Sequence, residues 1–81
     1  MSEQSMKIFG YSNDDSETLL EMKEVSFLAT PEILREIAEF LMASAEKFES
    51  DNKVDHLHFQ DFFNINPEID PDVISVKKLE D

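Results

Sequence analysis

The stretch EVSFLATPEILREIAEFL, residues 24–41, joins an extended segment to a helix and decides the fold. Before Thr30, apolar residues occupy every second position, which is typical of a strand. Thr30 is suited to cap a helix, Pro31 to begin its first turn, and Glu32 to interact with the positive end of the helix dipole. Beyond Pro31 the apolar residues recur every three or four positions, which predicts an amphipathic helix of about four to five turns.

The two faces of this predicted helix differ in character. Its outer face is mostly acidic, so we expect a helix that covers a sheet rather than one that lies on a membrane, where an arginine-rich face is usual. The apolar face consists of Ile33, Ile37, Phe40, Leu41, Ala45 and Phe48, widened by Leu34 and Ala38, and the outer face of Arg35, Glu36, Glu39, Glu46 and Lys47.

Short strands are predicted before and after the helix. MKIFGY, residues 6–11, is a first strand, and the polar residues 12–17 suit a hairpin loop. Residues 18–29 form a longer second strand, whose apolar alternation changes phase near residues 23–24 and predicts a bulge there. The last strand is VISVKKL, residues 73–79. In it we expect Ile74 and Val76 to face the core, and we expect the charges of Lys77 and Lys78 to prevent the edge of the sheet from pairing with another chain.

These elements predict an α+β fold with one helix on one face of a small, mainly antiparallel sheet of about three to four strands. The order along the chain is strand, strand, helix, irregular aromatic segment, strand. We expect a single domain over the 81 residues, with residues 1–5 as a disordered tail. The predicted core contains Phe27, Ile37, Phe40, Leu41 and Val76, closed at one end by Phe59 and Phe63.

The composition narrows the classes of protein that the chain can represent. It has no cysteine, which fits a reducing compartment. It has neither the apolar core of a signal peptide at its N-terminus nor the roughly 18 consecutive apolar residues of a membrane span. We therefore expect a cytoplasmic protein.

The charge is the strongest feature of the composition. Nineteen acidic residues against seven basic ones give a net charge of −12. Such a field repels phosphate backbones and anionic lipids, which argues against nucleic-acid and membrane partners. It favours a basic protein partner, whose association it can accelerate, although acidity can equally serve solubility alone.

The segment VDHLHFQDFF, residues 54–63, holds both histidines. If it is extended, His56 and His58 share a face at a spacing that metal sites use, and Asp61 could add a carboxylate. If a helical turn begins near Leu57, Phe59 and Phe63 lie one turn apart and can both dock on the core. We favour structural roles for His56, His58, Phe59 and Phe63, with no metal or other cofactor, because two histidines supply only two ligands.

Other catalytic patterns are weaker still. The single glycine, Gly10, leaves no glycine-rich loop for a phosphate, and no serine lies in a nucleophile-elbow pattern. The paired carboxylates Asp14 and Asp15 lie in a polar turn, where solvation is the ordinary role. We therefore predict that the protein is not an enzyme. The less favoured alternative is a metal-dependent enzyme that uses His56 and His58.

Three pieces of the sequence, EVSFLATPEILREIAEFL, DHLHFQDF and PDVISV, resemble immunity protein family 32 of bacterial polymorphic toxin systems, and the resemblance runs over residues 6–76. It implies an α+β protein that neutralises a cognate toxin without chemistry of its own. A basic nuclease would be a suitable toxin, because an acidic inhibitor could cover its phosphate-binding site.

The predicted partner surface is acidic and comes from two loops and the outer face of the helix. We expect a monomer or a weak homodimer that forms through an edge strand. The alternative is an acidic interaction module with no toxin link. The predicted partner-binding residues are Asp14, Asp15, Glu17, Glu36, Glu39, Glu46, Glu68, Asp70 and Asp72.

Overall fold

The computed structural model describes residues 5–14, 17–63, 66 and 69–79. The elements run in the order β1 (Ile8–Gly10), β2 (Leu20–Met22), α1 (Pro31–Ser50), β3 (His56–His58), α2 (Phe59–Phe62) and β4 (Ile74–Val76). Within those residues the four strands form two antiparallel pairs, β1 with β2 and β3 with β4. The α+β class is confirmed. The strands divide between two small sheets, and the predicted irregular aromatic segment supplies β3 and α2. Apart from Ser5, the predicted tail lies outside the described residues.

Helix α1 begins where its sequence predicts. The Thr30 hydroxyl accepts a hydrogen bond from the Ile33 backbone N–H at 3.2 Å, and Pro31 occupies the first turn. Twenty residues later the helix ends, and the backbone N–H of Asp51 donates to the Lys47 carbonyl at 2.9 Å. The predicted cap and start of the helix are confirmed. No helix among the described residues is long and apolar enough to cross a membrane.

The core lies between α1 and the aromatic segment. Phe40 is 0% exposed. Its ring packs edge to face against Phe59 and Phe62, with centroid distances of 5.6 Å and 5.3 Å. Phe63 packs beside Phe59 at 5.1 Å, one helical turn away. The predicted burial of Ile37, Phe40 and Phe59 is confirmed, and Phe63 closes the core while half-buried.

The predicted inward face of the last strand is wrong. In the β3–β4 register, Leu57 lies opposite Ser75, while His56 and His58 lie opposite Val76 and Ile74. Leu57 packs against the core, and the Ser75 hydroxyl donates to the Ser44 hydroxyl of α1 at 2.8 Å. Because side chains alternate across a strand, Val76 points away from the helix and is 71% exposed.

The predicted burial of Phe27 and Leu41 is also wrong, because both side chains are about half exposed. Of the predicted second strand over residues 18–29, only Leu20–Met22 pairs, so Phe27 lies in a segment that belongs to no strand. The predicted bulge near residues 23–24 is instead the end of β2. Leu41 lies about 100° around the helix axis from Phe40. The buried stripe of α1 contains Ser44 in place of Leu41.

Candidate functional site

The carboxylate of Asp72 joins the histidine segment to the chain before β4. One of its oxygens, Oδ2, lies 2.8 Å from Nδ1 of His58, and the other, Oδ1, accepts from the backbone N–H groups of Gln60 at 3.0 Å and Val73 at 2.9 Å. Its side chain is only 19% exposed. His58 makes no side-chain cap bond to α2, so Asp72 satisfies a first-turn N–H of that helix from a distant part of the chain.

His56 makes a similar pair on the open side of β3. Its Nδ1 lies 2.7 Å from Oδ1 of Asp55, and both side chains are largely exposed. The hydrogen bond to His56 is the main cause of a lowered pKa for the Asp55 carboxyl. The two imidazole rings meet edge to face, 5.4 Å apart between centroids. Each histidine therefore has a carboxylate partner on its Nδ1 atom.

Asp61, the third proposed metal ligand, forms no group of ligands with the two histidines. Asp61 lies exposed on α2. Among the described residues, no group of three or more His, Asp and Glu side chains could hold a metal ion. An open groove of about 640 Å³ runs beside the two rings, with Lys53 and Ile74 in its lining. The structural role of His56 and His58 stays a prediction, now with named carboxylate partners.

The predicted partner-binding acids lie in three places. Asp14 and Glu17 are exposed between β1 and β2, and Ser12 donates a hydrogen bond to Asp14. Asp70 is exposed before β4, whereas Asp72 is engaged by His58 and backbone groups. On α1, helical spacing puts Glu36, Glu39 and Glu46 on one flank, with Glu39 and Glu46 exposed. Asp15 and Glu68 lie outside the described residues.

Sequence analysis missed an exposed apolar region at the N-terminal end of the fold. Phe9 is 51% exposed and Tyr11 is 65% exposed, and Leu28 is completely accessible to solvent. The density of apolar residues in the first third of the chain was a sign of it. The sequence predicts strands here, and the alternation of a strand does not by itself indicate whether a second surface covers its apolar face.

Fold and surface together define a small acidic α+β protein built on one amphipathic helix. Residues 24–79 match the family described as Immunity protein 32, and the chain belongs to this family. The resemblance noted from the sequence is thereby confirmed, and it supports an immunity-protein role. The matched segment contains α1, both histidines and β4. No curated protein and no solved structure matches the chain.

Proposed function

We propose that this protein binds and neutralises a cognate bacterial toxin domain in the cytoplasm, using its acidic surface to attract a basic toxin. Membership of the Immunity protein 32 family carries this proposal, because an immunity protein works on a partner toxin. The net charge of −12 supports a basic partner, since an acidic protein associates fastest with a cationic one.

The flank of α1 that holds Glu36, Glu39 and Glu46 suits this role. Its other side is anchored by Ile37 and Phe40 in the core, so the helix presents the carboxylates from a rigid support. Exposed charges of this kind contribute mainly to the rate of encounter and to specificity, and less to the lifetime of a complex. Inhibition would follow from covering the toxin's active site. A nuclease fits this mechanism well, since its phosphate-binding site is basic.

The test is survival of bacteria that express the toxin encoded beside this gene, with and without this protein. We expect co-expression to restore growth. If no toxin gene lies beside it, or if toxicity is unchanged, the immunity function is refuted and an acidic interaction module takes its place.

The acidic flank is tested by association kinetics with the purified, inactivated toxin domain. We expect the association rate to fall severalfold for the double variant Glu39→Gln/Glu46→Gln, and to fall with rising salt in the parent protein. The control Asp55→Asn/Asp61→Asn removes the same charge from the histidine segment. Equal rates for the two variants would mean that total charge, and not this flank, attracts the toxin.

A further inference from the structure

The N-terminal hairpin, residues 5–14 and 17–28, exposes apolar side chains on both of its faces. Register places Leu20 opposite Gly10 and Met22 opposite Ile8, so Leu20 and Met22 lie on the side of the sheet away from Phe9. All three are at least 41% exposed. We name as the N-terminal apolar surface the exposed residues Phe9, Tyr11, Leu19, Phe27 and Leu28, and leave out Leu20 and Met22 because they lie on the other side of the sheet.

This hairpin has little within the chain to support it. In the part of the chain that the structure describes, β1 and β2 hydrogen-bond only to each other as a sheet. No described hairpin residue belongs to the core cluster or packs against it. An isolated two-stranded hairpin is marginally stable in water and needs a third strand or a packed face. Its open faces and edges are therefore suited to a partner.

Charge decides between a second copy of the chain and a different protein. Residues 5–28 contain five acidic residues and two lysines, and the whole chain carries −12. Docking two hairpins would bring these carboxylates against each other around the apolar centre, and like charges across an interface are unfavourable. A partner with an apolar patch surrounded by lysine and arginine would satisfy both the apolar centre and the acidic rim.

We propose that the N-terminal apolar surface is the central contact for the toxin, which meets it with an apolar patch ringed by basic side chains. This inference rests on the proposed function and adds to it the place of contact. Buried aromatic and apolar anchors near the centre of an interface carry most of the binding energy, and their loss appears in the dissociation rate. The acidic residues then govern association and the hairpin governs the lifetime of the complex.

The test compares two exposed leucines by binding kinetics on the inactivated toxin domain encoded beside this gene. Leu28→Ser removes a side chain of the N-terminal apolar surface, and Leu79→Ser makes the same change at another exposed leucine, beside the groove that His56 and His58 line. We expect Leu28→Ser and Phe9→Ser to raise Kd about tenfold or more, mainly through faster dissociation. Leu79→Ser should bind as the parent does. Because these side chains are exposed, equal urea midpoints should show that all variants remain folded.

A second measurement needs no substitution. Backbone amides of β1 and β2 should exchange with solvent more slowly when the toxin domain is bound, because the partner supports the hairpin. Unchanged exchange, or hairpin variants that bind like the parent while the parent still neutralises the toxin, would overturn this inference and leave the proposed function intact. A parent protein that fails to bind or neutralise the toxin would instead refute the proposed function. Sedimentation that reveals a dimer, lost in Leu28→Ser, would identify a second copy as the occupant and overturn the inference.

Discussion

The two sheets of this protein have strands of the same length and differ in what surrounds them. The β3–β4 pair is tied to α1 by Ser75 and Ser44 and by Lys77, whose Nζ donates to the Phe48 carbonyl at 3.0 Å. The β1–β2 pair contributes no described residue to the core. The family match, residues 24–79, covers the β3–β4 pair and begins after the β1–β2 pair has ended at Met22.

This difference shows that backbone pairing alone does not make a region stable. Three-residue strands form few hydrogen bonds, and most of the stability of small elements comes from the tertiary contacts of their side chains. We therefore expect the region of α1, α2, β3 and β4 to unfold as one unit. The hairpin should open at a much lower free energy, as loops and edges without buried contacts do.

The sharpest test of this contrast compares two phenylalanines. Phe40→Ala removes a fully buried ring that contacts Phe59 and Phe62, and should lower the free energy of unfolding by about 3–5 kcal/mol. Phe9→Ala removes an exposed ring and should change it by no more than about 0.5 kcal/mol. Urea unfolding monitored by circular dichroism measures both. Equal midpoints for the two variants would remove the distinction between the regions.

A second prediction concerns the bonds that fasten the histidine segment. Asp72→Ala leaves two part-buried backbone N–H groups and His58 without their acceptor. We expect a loss of about 1–3 kcal/mol in unfolding free energy. The control is Asp70→Ala, an exposed aspartate two positions earlier, which should change stability by at most about 0.5 kcal/mol. If both variants unfold at the same urea concentration, Asp72 does not fasten the segment.

A smaller effect is expected at the polar contact between β4 and α1. Ser75→Ala removes the hydroxyl that donates to Ser44, whose own hydroxyl still donates to the Phe40 carbonyl at 2.8 Å. We expect a loss of about 1 kcal/mol, typical of one net hydrogen bond. Ser50→Ala, on the exposed end of α1, serves as the control. A Ser75 variant as stable as the parent would show that packing alone seats β4 on the helix.

The sequence predicted those elements whose formation depends on residues close to each other in the chain. Thr30 and Pro31 start α1 through contacts within one turn, and Phe59 and Phe63 meet because four residues separate them. Long-range polar contacts were beyond such reasoning. Ser75 bonds to Ser44 across 31 positions, so apolar alternation wrongly turned Ile74 and Val76 inward. Asp72 is predicted as a partner-binding acid because its neighbours are acids and prolines, and nothing local indicates His58, 14 positions away.

The candidate site likewise has features that the sequence predicts and features that it does not. Composition gives the sign of the charge, since net charge is a property of the whole chain, and this sign favours a basic partner. Periodicity gave the acidic flank of α1. The exposed hairpin was missed because alternating apolar residues predict a buried strand only where a second surface exists to cover them. In this chain the described residues supply no such surface for β1 and β2.

The smallest expected effect separates the two histidine–aspartate pairs within the packed region. Asp55 is exposed, and its pKa is lowered from 3.8, mainly by the hydrogen bond to His56. A carboxyl with a lowered folded-state pKa contributes stability above its unfolded pKa, and that contribution disappears as pH falls through the folded pKa. The contribution should therefore be present at neutral pH and lost in acid, below pH 3.8.

Carbon-13 NMR titration of the Asp55 carboxyl provides the measurement. We expect a midpoint below 3.8 in the parent and a return toward 3.8 in His56→Ala, because the substitution removes the hydrogen-bond donor. His58→Ala is the matched control, since His58 pairs with Asp72 and should leave the Asp55 midpoint where it is in the parent. An equal shift in both variants would mean that the overall charge, and not the Asp55–His56 contact, sets the pKa.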